Sequence, residues 1–336
     1  MSAPLLRVES LERTFGGGLR LIGKTRPAVH AVQGVTLSLQ EGETLGIVGE
    51  SGCGKSTLAR MLVGLDRPSA GTIELSGADI NDPARSGEPL AATVQYVFQD
   101  PVSSLNPRKT IRATLTAPMV HLLGYARERR ESRLRELMDA VHLRAEFLDR
   151  YPHEFSGGQA QRIGIARALA ADPRIIVLDE PVSALDVSVQ AQVLNLLGDL
   201  KRQFGLTYIF ISHDLSVIET ISDRVAVMYF GRIVELGRGR DLFNAPQHPY
   251  TRLLLDSAPV PGKRRVRSED EPAELPDPYA PPPGCAFAPR CPRAQERCRE
   301  RHPELLERLS AEHRVACYFP LTREESERAQ EVSRSD

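Results

Sequence analysis

The stretch Gly49-Glu50-Ser51-Gly52-Cys53-Gly54-Lys55-Ser56-Thr57 constrains this chain more than any other. Gly49 to Ser56 fit the spacing G-x-x-x-x-G-K-[ST], and they fall between an apolar run, TLGIV (44 to 48), and a helical pattern, STLARMLVGL (56 to 65). That order is what the chemistry of a bound polyphosphate requires. Glycines let the backbone wrap a β-phosphate, Lys55 neutralises the β and γ oxygens, and the Ser56 hydroxyl is placed to ligate Mg2+. A strand feeding such a loop and then a helix commits the chain to an α/β fold.

The rest of the sequence agrees with that commitment as far as residue 260. Besides TLGIV, the runs IIVLD (175 to 179), TYIFI (207 to 211) and VAVMY (225 to 229) are short, rich in β-branched residues and followed by polar punctuation, as buried parallel strands read. Between them, residues 128 to 143 and 188 to 204 show helical spacing with a charged face. The pattern predicts an α/β domain with a helical insertion near 100 to 155. Beyond about 260 the strand and helix signals stop. A proline-rich, charged stretch, PVPGKRRVRSEDEPAELPDPYAPPPG, reads as an exposed linker to a small cysteine-bearing tail.

Composition excludes some functions. At 336 residues and a formal net charge of −1, the chain lacks the basic excess of a general nucleic-acid binder. Its first residues carry no apolar core of signal-peptide length, and no apolar run is long enough to span a bilayer. The expectation is a cytoplasmic protein whose five cysteines are thiols or metal ligands rather than disulfides.

Two further motifs complete a picture. RIIVLDEP (174 to 181) is an apolar strand ending in Asp179, which puts a carboxylate beside the metal, with Glu180 next to it to orient or deprotonate an attacking water. EFSGGQAQRIGIARAL (154 to 169) runs Ser156, Gly157 and Gly158 straight into a helical pattern, so a second set of backbone N–H groups points out of a helix start. One compact domain seldom needs two phosphate cradles.

In these residues the chain resembles the ATP-binding subunits of ABC transporters. FSGGQ (Phe155 to Gln159) resembles the family's signature, with Phe155 where Leu is commoner. SALD, ending in Asp186, resembles its D-loop, and His213 in IFISHDL its switch histidine. Gln99 in VFQDP resembles the Q-loop glutamine and, with Ser56 and Asp179, a magnesium contact; Phe15 in RTFGG is the candidate for stacking on adenine, although residues 16 to 28 lengthen the loop after it. The resemblance implies a P-loop NTPase cassette over 1 to 258, with a parallel-sheet core, an N-terminal antiparallel β-subdomain and a helical subdomain over about 100 to 170, then a linker and extension over 259 to 336. It also implies that two cassettes pack head to tail, so that Ser156, Gly157, Gly158 and Gln159 close on the γ-phosphate of a partner's ATP. Ala160 departs from the pattern, since relatives commonly carry Arg there.

Four segments, FQDPVSSLNPR (98 to 108), YPHEFSGG (151 to 158), LFNAPQHPYTRLLL (242 to 255) and the cysteine tail, are similar to the dipeptide and oligopeptide permease branch. That implies an importer ATPase at the cytoplasmic face of the membrane, working with a second, non-identical cassette, two multi-span permeases and an extracytoplasmic binding protein. Nickel and glutathione importers have similar ATPases, and soluble ABC ATPases of repair or translation are the reading from another class. Only one phosphate loop and one signature occur here, without a coiled coil. Cys285, Cys291, Cys298 and Cys317 leave gaps of five, six and eighteen residues, a poor fit to a zinc ribbon. A four-iron four-sulfur cluster, which the resemblance favours, a zinc ion and four structural thiols are the three readings. Cys53 occupies a variable position of the loop and need not be a ligand.

Overall fold

All four apolar runs become neighbouring strands of one sheet. The computed structural model describes residues 3–17, 27–82, 89–257, 276–310 and 312–326; residues 18–26 of the lengthened loop and 258–275 of the linker lie outside them. β1 (Leu6–Gly16) and β2 (Ala28–Leu39) pair antiparallel, β3 (Thr44–Val48) begins the central sheet, and β4 (Ala70–Leu75) and β5 (Ala78–Asp79) return to the first, giving the order β2-β1-β4-β5. The central sheet adds β6 (Val94–Val97), β7 (Ile175–Asp179), β8 (Thr207–Ser212), β9 (Arg224–Tyr229), β10 (Arg232–Arg238), β11 (Leu306–Ser310) and β12 (His313–Val315), in the order β11-β12-β10-β9-β3-β8-β7-β6. From β9 to β6 every pairing is parallel.

Every residue of β3, β7 and β8 is buried, which is why these strands read as unbroken apolar runs rather than alternations. Both faces are covered, one by the antiparallel sheet and α1 (Lys55–Leu62), the other by later helices, and the two buried clusters divide along that line. α2 (Leu90–Thr93) precedes β6. Between β6 and β7 the chain forms α3 (Ile111–His121), α4 (Arg127–Ala140) and α5 (Gly157–Leu169), the expected helical insertion. α6 (Val187–Phe204) spans nearly the residues its periodicity predicts, capped by Asp186 and stopped by Gly205 at φ 63°. α7 (Leu215–Ile221), α8 (Gly239–Asn244), α9 (Pro249–Ser257) and α10 (Glu296–Glu300) follow.

The tail departs from expectation, because strand structure does not stop at 260. β12 pairs with β10 through Glu235 and Val315 and through Leu236 and Arg314, and β11 pairs with β12. These strands are short and polar, LERLS and HRV, so they carry no buried-run signal. What holds them is a long-range node. The fully buried Glu235 carboxylate accepts the backbone N–H of Gln247 at 2.7 Å and of His248 at 2.9 Å, and lies 2.7 Å from His313 Nε2. Phe287, 1% exposed, packs on Tyr229 and Tyr250 with ring centroids 5.5 and 5.4 Å away. The cysteine segment therefore shares the core of the parallel sheet.

Candidate functional site

The phosphate loop is the turn between β3 and α1, and its glycines are sterically required. A Cβ on Gly49 would meet the Met228 carbonyl oxygen at 2.1 Å, and one on Gly54, at φ 104°, the Ala31 oxygen at 2.2 Å. Lys55 is 5% exposed; its Nζ donates to the carbonyls of Gly49 at 2.7 Å and Glu50 at 3.0 Å, folding over the loop it serves. Burial pushes the Cys53 thiol up, against the lowering pull of Lys55, so it is a neutral packing group rather than a nucleophile.

Strand ends supply the rest. Asp179, last residue of β7, accepts from Ser56 Oγ at 3.2 Å through Oδ1 and from Tyr96 Oη at 2.5 Å through Oδ2. Burial and then the Asp179 charge hold the Tyr96 hydroxyl protonated, well above the usual phenol range. Glu180 follows at φ 48°, an unusual conformation for a non-glycine residue, fixed by its N–H donating to Ile211 at 2.9 Å. One carboxylate oxygen, Glu180 Oε2, accepts from Gln99 Nε2 at 3.1 Å and lies 3.2 Å from His213 Nδ1. Gln99 follows β6 and His213 follows β8, so three neighbouring strands deliver these groups to the carboxyl edge of the sheet, where open α/β sheets bind ligands.

A cleft of about 620 Å3 runs along this edge, lined by Gly52, Gly54, Lys55, Ser56, Gln99, Glu180 and His213, with Val29, His30, Phe230 and Pro278 among the remaining walls. Phe15 stands on β1 paired with Val29, 37% exposed, with the Arg13 guanidinium 4.5 Å from its ring centroid. The strand that lines the cleft is thus β2, one step from the aromatic that the sequence singles out.

The second glycine pair lies apart. Ser156 caps α5, its Oγ accepting Gln159 N–H at 3.4 Å while Gln159 Oε1 accepts Ser156 N–H at 3.1 Å. Ser156, Gly157, Gly158 and Gln159 share a separate cavity of about 460 Å3 with Ala184, Leu185 and Asp186. Asp186 caps α6, and hydrogen bonds from Ser188 and the Val189 N–H hold its carboxyl below the usual range. Ala160 is completely buried on α5.

Sequence reasoning missed Tyr96, Tyr250, Pro278 and Arg290. Tyr250, Pro278 and Arg290 reach the site from distant segments, whereas Tyr96 lies on β6, three residues before Gln99.

Cys285, Cys291, Cys298 and Cys317 line one small apolar cavity of about 20 Å3 together with His248 and Phe287. Burial, reinforced by neighbouring cysteines, pushes the thiols of Cys285 and Cys291 up and that of Cys317 to about 12, and burial lowers His248 to about 4. Among the described residues no group of three or more His, Cys, Asp or Glu side chains is placed to hold a metal ion.

A glycine-built phosphate loop, an adjoining Asp-Glu pair, and a glutamine and histidine meeting that glutamate define an ATP-binding cassette of the P-loop class. Comparison carries this to a family. Residues 32–183 match the ABC transporter model and 234–298 that of the oligopeptide/dipeptide transporter C-terminal region. The chain is 51% identical over 297 residues to the oligopeptide transport ATP-binding protein AppF of Bacillus subtilis, covering 87% of this chain and 90% of that one. It is 47% identical to the dipeptide transport ATP-binding protein DppF of Haemophilus influenzae, covering 94% and 97%. A solved dimer of the cassette MJ0796 bound to ADP and Pi superposes with a TM-score of 0.60 at 28% identity, covering 70% of this chain and 99% of that one. The chain belongs to the ABC transporter ATP-binding proteins, in the dipeptide and oligopeptide branch, and is an ATPase. Among the described residues no helix is long and apolar enough to cross a membrane.

Proposed function

We propose that this chain energises import of di- and oligopeptides from the cytoplasmic face of the membrane, as one of two cassettes attached to two multi-span permeases fed by an extracytoplasmic binding protein. The observation that carries the reading is the convergence of Gln99 and His213 on one oxygen of Glu180, in the same cleft as Lys55 and Ser56. The peptide cargo is supported by the names and high coverage of the relatives. We take residues 1–258 as the cassette, with about 100–170 as its helical subdomain, and 259–336 as linker and extension.

Gly49, Glu50, Ser51, Gly52, Cys53, Gly54, Lys55, Ser56 and Thr57 form the cradle for the triphosphate, and Phe15 serves the adenine. Ser56, Asp179 and Gln99 would hold Mg2+, which supplies charge neutralisation at the β and γ oxygens. Glu180 orients the attacking water and accepts its proton, His213 and Gln99 fix the water and γ-phosphate, and Lys55 stabilises charge in the transition state. Ser156, Gly157, Gly158 and Gln159, with Asp186 beside them, face the other cassette's nucleotide. Two phosphate cradles on one subunit are then two halves of different sites. ATP draws the cassettes together and moves the permeases; hydrolysis lets them part. A non-identical partner cassette fits the branch.

For the tail we retain a four-iron four-sulfur cluster on Cys285, Cys291, Cys298 and Cys317. What supports it is that the four thiols line one apolar cavity; the lack, among the described residues, of a group of three or more such side chains placed to hold a metal ion weighs against cluster and zinc alike. The group would supply cross-linking of the extension, away from the ATP cleft. Anaerobically purified protein is expected to contain about four iron and four acid-labile sulfide per chain, lost in Cys291→Ser; neither element in the wild type would refute it. The importer reading is tested by a mild-detergent pull-down from native membranes. Recovery of two multi-span proteins and a second cassette is expected, whereas recovery only with soluble ribosomes or DNA would contradict it.

A further inference from the structure

Glu50, which follows the first glycine of the phosphate loop, is held by two residues far outside that loop. Arg290 Nη1 and Nη2 donate to Glu50 Oε2 and Oε1 at 2.8 and 2.9 Å, and the Tyr250 hydroxyl accepts the Glu50 N–H at 2.9 Å. The Glu50 carbonyl faces inward and accepts Lys55 Nζ at 3.0 Å and the Cys53 N–H at 3.3 Å. One residue is thus fixed through its side chain, its N–H and its C=O. Arg290 ends the short turn Ala288–Arg290, between Cys285 and Cys291, and its guanidinium lies 6.0 and 5.7 Å from the rings of Tyr229 and Phe287. The pair is largely screened from water, with Arg290 14% and Glu50 28% exposed.

A paired, planar Arg-carboxylate contact fixes direction as well as distance, which a lysine cannot reproduce. Here it also answers an electrostatic problem. A carboxylate in a loop built to wrap phosphates repels them unless a cation neutralises it, and the repulsion is strong where water is scarce.

We infer that Arg290 is a positioning residue of the phosphate loop: its two hydrogen bonds to Glu50 fix the first half of the loop and cancel the carboxylate charge that loop carries, so the cysteine-bearing extension sets the cassette's affinity for ATP. This rests on the nucleotide site proposed above but not on what the cysteines hold.

The experiment is titration of the full-length chain with MgATP, with KM and kcat measured alongside. Arg290→Ala raises the MgATP dissociation constant and KM by about tenfold or more while kcat at saturation changes less than about threefold, since no reacting atom is touched. Arg290→Lys falls between. Adding Glu50→Gln to Arg290→Ala removes the stranded carboxylate and recovers the part of the affinity carried by charge, while the part carried by the two lost hydrogen bonds stays lost. Unchanged MgATP affinity in folded Arg290→Ala, or a loss that Glu50→Gln leaves unrelieved, overturns the inference. If Arg290→Ala does not fold, Arg290→Lys decides: wild-type KM in that variant overturns it, and a raised KM at unchanged kcat supports it. Failure of the wild type to bind MgATP would instead refute the nucleotide site itself.

Discussion

Glu180→Gln leaves MgATP binding within about twofold of wild type and lowers the hydrolysis rate by a factor on the order of 10² to 10⁴, the range lost with a positioned general base. The side chains are nearly the same size, and an amide oxygen at Oε2 still accepts from Gln99, 3.1 Å away in the native chain. What disappears is the negative charge that, in the proposed role, polarises water and takes its proton. Because binding survives and turnover does not, the mutant accumulates with ATP trapped between cassettes. With its partner cassette and MgATP, gel filtration should show a stable dimer that the wild type forms only transiently. The backbone supports the assignment independently, since a glutamate held at φ 48° in the strand-end turn is aimed by its surroundings rather than left to solvent. Near-normal hydrolysis by this mutant would remove Glu180 from its role.

Gly157→Asp separates the two phosphate cradles. A Cβ at Gly157 meets nothing nearer than Leu185 Cδ2 at 3.6 Å, and an acidic residue in the first turn of a helix is locally favourable. The variant should therefore fold and bind MgATP in its own loop as wild type does. Its new carboxylate, however, stands where the proposed two-cassette site places the partner's γ-phosphate. Loss of ATP-driven closure and a fall in hydrolysis of about a hundredfold or more are expected, measured as activity and MgATP affinity in the same preparation. Gly158 offers a less clean test, because a Cβ there would strike Val189 at 2.6 Å. If Gly157→Asp also abolished MgATP binding by the isolated chain, the signature would belong to the same site as Lys55, and the two-subunit account would fail.

How much was legible in the sequence follows from how local each signal is. Strands β3, β7, β8 and β9 were readable because they are buried, so each shows four or five consecutive apolar positions, whereas β6, VQYV, was not. The loop from Gly49 to Ser56 was readable because steric demands fall at fixed offsets, as the contacts of Gly49 and Gly54 bear out. Neither β11 nor β12 was readable. β12 is held by pairing with β10 and by the contact of His313 with Glu235, across 78 residues, and β11 by pairing with β12; no residue pattern within them announces it.

The site divides similarly. Asp179 and Glu180 were marked by their place at the end of an apolar strand. The meeting of Gln99, Glu180 and His213 came from resemblance alone, because it depends on strand order in space, β8-β7-β6, which no single segment encodes. Tyr96 on Asp179 and Arg290 on Glu50 bridge 83 and 240 residues. Side-chain pairs of that reach become visible only when the sheet brings their strands and loops together. The cysteines are intermediate: their spacing spoke only against a zinc ribbon, the cluster reading came from resemblance, and the fold supplied the common cavity.

The most direct test is uptake of a radiolabelled tripeptide by cells whose only copy of this chain is wild type, Glu180→Gln or deleted. The account predicts that uptake is lost equally in the mutant and the deletion while free amino acid uptake continues. Peptide uptake undiminished by Glu180→Gln, with the protein present at its normal level, would contradict the claim that hydrolysis in this cleft drives peptide import.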